Sequence, residues 1–369
     1  MEIAVLGGGN GAYACAADLS EQGQSVRFWR RDGAALAALR TTGTRGNKGT
    51  SGTIGLKDAD GERRVAIACV TDDLGAAVRG ARLIVMPDPA FTQVDNARRL
   101  APHLADGQVV FLPPGTFGSY VMTKTIRDAG NRAQFAFAET GTLPWLTRKH
   151  GPAIAAITAR ATRLPTGVFP ARRHDAALGL VRGAFPAIEP VADALSAALM
   201  NAGPIIHPPL ILMNAGPLEH CARWDIHNEG TQASVRRVTD ALDAERIAVR
   251  MALGYSAPHF PLADHYRSDG DEWMYGRKVH KKLTDSKDWS EKIELATHRY
   301  MLEDVEHGLA FLVSVAEWAR VPCPVARGLL AIASAVLGRD VRASGRTLEN
   351  LGLSDLDVAG MRRLLSEGL

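Results

Sequence analysis

Cysteine is scarce in this chain: Cys15, Cys69, Cys221 and Cys323 are far apart, form no CxxC pair and sit in apolar or small-residue settings such as "ACA" and "IACV". That pattern excludes a disulfide framework and a cysteine-built metal site, and fits thiols in a reducing compartment. Neither sign of charge dominates, with 43 basic against 40 acidic residues and a net charge of +3. A polyanion partner is therefore not expected, and no basic helix interleaved with aromatics points to nucleic acid. The opening "MEIAVLGGG" lacks a basic leader region, and no long apolar segment stands out, so neither a signal peptide nor a membrane span is expected and the cytoplasm is the expected location. No internal repeat or low-complexity tract is present.

What is present is the composition of a globular protein, 46% hydrophobic and 22% charged over 369 residues, long enough for two domains. "EIAVL" at 2–6 reads as a strand running into "GGGNGAYACAADLSEQGQ", a glycine turn that opens a helix, and "SVRFW" at 25–29 reads as the next strand. The polar, glycine-rich stretch from "TTGTRGNKG" to "CVTDD" reads as a loop and hairpin insertion with a turn at "DADGE". "RLIVMP", "QVVFLPP" and "AQFAFAET" continue the alternation of strands with helices, which implies a doubly wound parallel sheet of Rossmann type. After about residue 185 the pattern is helical throughout. The expected architecture is α/β, with a dinucleotide-binding domain at 1–190 followed by an all-α domain at 191–369.

The glycine turn matches G-x-G-x-x-A through Gly7, Gly9 and Ala12, with Asn10 and Gly11 between them. Glycine lets backbone approach a pyrophosphate whose charge the helix amides then hold. At the end of the second strand an NAD site usually carries an acid for the ribose hydroxyls, whereas this chain has Trp29, Arg30 and Arg31 ahead of Asp32. Arginines suit a 2′-phosphate, so NADP(H) is favoured over NAD(H). Strand ends at Met86–Pro87 and Pro114–Gly115 belong to the crevice of such a sheet, and Glu139, closing the strand "AQFAFAET", is grouped with them on the cofactor side.

In the helical half, "GPIIHPPLILMNAG" sets His207 in an apolar run just before a proline pair able to start a helix. A histidine at a helix N-terminus stays neutral and can accept a proton. In "THRYMLEDVEHGLAFL" at 297–312, α-helical spacing puts Met301, Val305, Leu309 and Leu312 on one stripe, with Asp304 on its shoulder rather than opposite. A carboxylate there needs a partner or gives up its charge, and His207 is the candidate. Arg299 reads either as half of a surface pair with Glu303 or as a clamp for a substrate carboxylate. Small Gly308 would leave room for the Asp304 contact.

Together "GGGNGA" at 7–12, "HPPLILMNAG" at 207–216, "DALDAERIAVRMALG" at 240–254, "RYMLEDVEHGL" at 299–309 and "SGRTLENLGL" at 344–353 resemble the opine dehydrogenases, the octopine/nopaline dehydrogenase family. The resemblance implies a Rossmann domain joined to an all-α domain with the active site between them. It implies condensation of an α-keto acid with the amino group of an amino acid or amine, and reduction of the imine by NAD(P)H to a secondary amine. It makes His207 the proton-transfer histidine, Asp304 its acidic partner and Arg299 the keto-acid clamp. One relative in the family has an acid where this chain has Arg30. The segment 259–282, "HFPLADHYRSDGDEWMYGRKVHKK", matches no family pattern and is expected to help select the amine. The partners expected are thus the two substrates, with a homodimer as one assembly the chain allows. Two other readings stand beside this one: a hydroxyacid or glycerol-phosphate type dehydrogenase, which commonly uses a lysine as its acid-base group, and a catalytically silent NADPH-binding sensor.

Overall fold

The structure, a computed structural model, describes residues 1–46 and 49–369. Its strands, in chain order, are β1 Glu2–Leu6, β2 Ser25–Trp29, β3 Arg40–Gly46, β4 Gly49–Asp58, β5 Gly61–Thr71, β6 Leu83–Val85, β7 Val109–Leu112, β8 Ala136–Thr140, β9 Trp145–His150, β10 Ile154–Arg160, β11 Leu164–Phe169 and β12 Ile188–Pro190. All twelve join one sheet, ordered β12-β11-β8-β7-β6-β1-β2-β5-β4-β10-β9, with β3 paired to β4. The six central strands from β8 to β5 are mutually parallel. Their order places a topological switch point between β1 and β6, where chain connections depart to opposite sides and leave a crevice at the carboxyl ends. The expected parallel core is there because strands such as "EIAVL" and "VVFL" are apolar on both faces and are covered on both.

The flanks depart from the sequence expectation. The hairpin expected across the "DADGE" turn is present as the antiparallel pair β4 and β5, but it is no insertion outside the sheet, because β5 lies parallel to β2 within it. Glycines and threonines of this stretch hid the alternation Val65, Ile67, Cys69, whose side chains are buried. Asn47 and Lys48, also read as loop, lie outside the described residues. Strands β9 to β11 extend the sheet where sequence periodicity showed nothing, since "AIAAITAR" is too alanine-rich to alternate.

Beyond Pro190 the described residues are helical or irregular. The apolar stretch Ala194–Leu212 is 19 residues long, and most of it is buried inside the protein. It is broken into helices Ala194–Ala198 and Gly203–Leu212, and is a continuous apolar run that the sequence reading did not single out. Helix Ala233–Ala252 and helix Pro324–Leu337, the latter closed by left-handed Gly338, accord with the helical pattern expected after residue 185. The chain around "SGRTLENLGL" reaches back to the sheet. The buried Arg346 guanidinium donates to the carbonyls of Thr116 and Ala90 and to Gln93 Oε1, fixing the turns that follow β7 and β6. Thr116 and Phe117 are held there with left-handed backbone, at φ 54° and 63°.

Candidate active site

Gly7 follows β1 with φ 134°, a conformation that favours glycine. A Cβ on Gly9 would meet nothing within 4 Å, so the turn opens to space. Helix Asn10–Glu21 begins there with no side-chain cap and no acid in its first turn, leaving its amides for an anion. Arg30 lies across Gly8 and donates to Tyr13 Oη at 2.5 Å. Lys149, from β9, stands 4.8 Å over the same Tyr13 ring. Burial and the Arg30 charge hold the Lys149 ammonium below its ordinary value. Asp32, the one acid a displaced NAD motif might use, instead accepts from the amides of Ala34 and Ala35, while the exposed Arg31 faces Asp95 at 3.6 Å. The end of β2 is therefore cationic. These features fit a nicotinamide dinucleotide, with the glycine turn and helix amides for its pyrophosphate.

The other strand-end residues divide. Pro87 and Pro114 line the cleft with Gly9, Asn10 and Gly11. Ala12, Trp29 and Met86 are buried in the sheet layers that support it. Glu139 lies beneath the turn that follows β7: it is fully buried, accepts from Ser119 at 2.8 Å, and would overlap any Cβ placed on Gly115. Burial pushes its carboxyl up to about 7.

The same cleft, about 1270 Å³ counted out to open solvent, continues from the glycine turn to His207, Arg299 and Asp304. His207 lies in the second turn of helix Gly203–Leu212, which starts five residues before the proline pair expected to open it, with Pro204 in its first turn and Pro208 and Pro209 inside it. His207 Nδ1 is 2.7 Å from Asp304 Oδ2. Its ring stacks on Tyr300 with centroids 3.7 Å apart, which fixes the ring plane. Burial, with Arg299, His298 and Arg148 nearby, holds the imidazole neutral rather than its place at a helix N-terminus. Burial likewise pushes Asp304 up to about 7, against the pull of Arg299. The pair thus keeps a proton between Nδ1 and Oδ2, and no hydrogen bond among the described residues occupies Nε2.

Asp304 and Arg299 owe their placement to an irregular helix. Tyr300–Leu309 is π-helical, running on into α-helix Ala310–Trp318. An α-helix would separate Arg299 from Asp304 by about 140°; turns closed from i to i+5 bring residues four and five apart toward one side. Two glycines let this segment meet the His207 helix. A Cβ on Gly308 would overlap Pro204, and one on Gly203 would overlap Asp304 itself. Gly308 therefore makes the expected room through the helix contact, and Gly203 makes it directly.

Arg299 forms no ion pair with Glu303, which is buried and accepts from the Ala90 amide at 3.2 Å. Its guanidinium is exposed to the cleft, stands 5.0 Å from the Tyr300 ring centroid, and has no salt bridge among the described residues. Desolvation in the cleft acts against its charge, but Tyr300, Glu303 and Asp304 beside it outweigh that and raise its guanidinium above the ordinary value. Four lining residues that the sequence did not single out complete the site. His227 meets His207 edge to face at 6.0 Å, Trp289 packs on His227 at 5.7 Å, and Arg148 stacks on Trp289 at 3.6 Å while donating to Glu291. Asn201 joins the two sides, donating to Thr116 Oγ1 and accepting from the Gly203 amide. None of these carries a sequence signal, because each acts through partners distant in the chain. Segment 259–282 supplies His265, Tyr266, Trp273 and Tyr275 to the cleft wall.

Comparison with known proteins agrees with this geometry. Residues 190–337 match the family model for the α-helical domain of NAD/NADP octopine/nopaline dehydrogenase. An opine dehydrogenase of Arthrobacter sp. (strain 1C) is 29% identical over 97% of both chains. An octopine dehydrogenase solved with NADH and agmatine shares the fold at a TM-score of 0.71 and 18% identity, covering 100% of this chain and 98% of its own. Yersinopine dehydrogenase with NADP+ bound follows at 0.65 and 17%, with the same coverage. With a glycine turn suited to a dinucleotide, a histidine–aspartate pair in the same cleft and relatives matching end to end, the chain is similar over its whole length to an opine dehydrogenase, and its residues 190–337 match the α-helical domain of the octopine/nopaline dehydrogenases.

Proposed function

We propose that this protein joins an α-keto acid to the amino group of an amino acid or amine and reduces the resulting imine to a secondary amine, and that it runs the reverse oxidation. The observation that carries this reading is the cleft itself, which holds a neutral histidine bonded to a buried aspartate and, beside them, a guanidinium with no salt bridge. A bound nicotinamide dinucleotide supplies the hydride. Arg299 binds the keto-acid carboxylate through paired N–H donors, which also orients the carbonyl carbon. His207 Nε2 takes a proton from the substrate ammonium, freeing the nitrogen lone pair, and returns it to the hydroxyl that leaves as water when the imine forms. Asp304 holds the ring by Nδ1 and stabilises the imidazolium while it carries that proton.

Residues 1–190 serve as the dinucleotide-binding domain and 191–369 as the substrate domain, a division supported by the last strand ending at Pro190. NADP(H) is the preferred cofactor: Arg30 and Lys149 flank Tyr13 beside the glycine turn, and Asp32 is committed to backbone amides. Gly7, Gly9, Asn10, Gly11 and Ala12 bear the pyrophosphate, and Pro87 and Pro114 flank the cleft. Gly115 and Glu139 lie behind that lining and support the turn after β7. Absence of a disulfide among the four cysteines supports the cytoplasm as the place of action. A hydroxyacid or glycerol-phosphate dehydrogenase reading is disfavoured because no lysine lines the cleft among the described residues. A matrix of keto acids and amines assayed by NADPH consumption, with product masses, tests the proposal. Secondary-amine products are expected, and a keto acid reduced equally fast without any amine would overturn it.

A further inference from the structure

The cleft wall built by residues 227–289 is aromatic and apolar, through His227, Tyr266, Trp273, Tyr275, Leu283 and Trp289. Three carboxylates line the cleft, and all lie elsewhere. Asp304 is bonded to His207, Glu303 to the Ala90 amide and Asp88 to Asn96. A cationic substrate group against this wall would find no counter-ion among the lining residues. Aromatic faces can hold a cation without an acid, but two of these rings already hold one of the protein's own. The Arg148 guanidinium sits 3.6 Å from the Trp289 centroid, and Arg236 sits 4.5 Å from that of Tyr266. Four polar atoms of the wall are buried without a partner: Arg148 Nε and Trp289 Nε1, which are donors, and the imidazole nitrogens His227 Nε2 and His265 Nδ1, none of which supplies a negative charge. Such a wall accepts neutral bulk and repels positive charge.

We infer that this wall receives the side chain of the amine partner and selects an amino acid whose side chain is neutral and bulky, aromatic or long aliphatic, with Arg148 and Arg236 as the residues that exclude cationic amines. The inference rests on the opine dehydrogenase reading for the identity of the site. Tyr275 keeps the wall in shape, since its hydroxyl is tied to Thr142 at 2.8 Å and to the Leu143 carbonyl at 2.6 Å. Placing a guanidinium or ammonium beside Arg148 would desolvate a charge with no partner and add repulsion.

The test measures binding of L-phenylalanine, L-leucine, L-arginine and agmatine to the NADPH-saturated protein by calorimetry, together with kcat/KM for each at saturating pyruvate. Phenylalanine or leucine should exceed arginine and agmatine by about 30-fold or more, the order expected for a desolvated, unpaired charge. Arg148→Gln, which also leaves the Glu291 carboxylate without its guanidinium, should narrow that ratio to within about threefold. Arg236→Gln should narrow it less, and serves if the first variant is unstable. Arginine or agmatine preferred by the native protein, or a ratio unmoved in both variants, overturns the inference. Phenylalanine binding without turnover on any keto acid would uphold the wall and overturn the opine dehydrogenase reading instead.

Discussion

The glycine turn at 7–12 and the helix at 299–309 meet in one cleft but are specified in different ways. Everything that suits the turn to a phosphate is local: a strand, a left-handed glycine, an uncapped helix start. The substrate side depends on long-range agreement, for His207 and Asp304 are 97 residues apart and meet only because Gly203 and Gly308 let two helices touch. A glycine turn of this kind can therefore be read from a short window, whereas a histidine–aspartate pair like this one has to be assembled by the fold.

The comparison breaks most sharply at His207. His207→Ala is expected to lower kcat by about 10³-fold, within the range of general acid-base catalysis, while leaving the NADPH dissociation constant unchanged in a fluorescence titration. Turnover close to native would remove the histidine from the mechanism. Next in size is Arg299→Ala, expected to raise the keto-acid KM by about 100-fold with a smaller change in kcat, since a bidentate charged contact is lost. An effect on the amine KM alone would move the clamp to the other substrate. On the cofactor side, the NADP(H) proposal expects Arg30→Ala to weaken NADPH by about tenfold relative to NADH, because it would remove one of the two charges, with Lys149, proposed to meet a 2′-phosphate. Equal losses for both cofactors would mean that Arg30 only supports the turn.

The smallest effect concerns stability and pH. Glu139 is raised from its ordinary 4.5 to about 7 by burial, so the folded protein holds this proton more tightly than the unfolded chain. Its contribution is full below pH 4.5 and is lost as pH rises toward 7. Glu139→Gln keeps an acceptor for Ser119 and should flatten the fall in denaturant midpoint over that window, by up to about 1.4 kcal/mol per pH unit. An unchanged slope would mean that Glu139 is ionised in the folded protein, held by the nearby charge of Arg346.

How much was legible in the sequence follows the same division. The parallel core, the glycine turn and the helical second half could be read because apolar periodicity and glycine chemistry are local signals. Asp304 was visible as a carboxylate on the shoulder of a buried stripe whose apolar members are indeed buried. Its closeness to Arg299 was not, because α periodicity does not describe a π-helical stretch. The start of the His207 helix was missed since Pro208 and Pro209 look like a beginning but lie inside it. Arg148, His227 and Trp289 were invisible for another reason. Each is defined by ring and charge contacts with distant elements, and Arg346 acquires its role only by crossing to the turns after β6 and β7.

The central claim is that His207 and Asp304 act as one unit, and a double-mutant cycle in kcat tests it most directly. Asp304→Asn alone should lower kcat by about 100-fold or more, and the double variant His207→Ala/Asp304→Asn should be no worse than His207→Ala by itself. A double variant whose loss equals the product of the two single losses would contradict the account, because Asp304 would then act on the reaction independently of the histidine it holds.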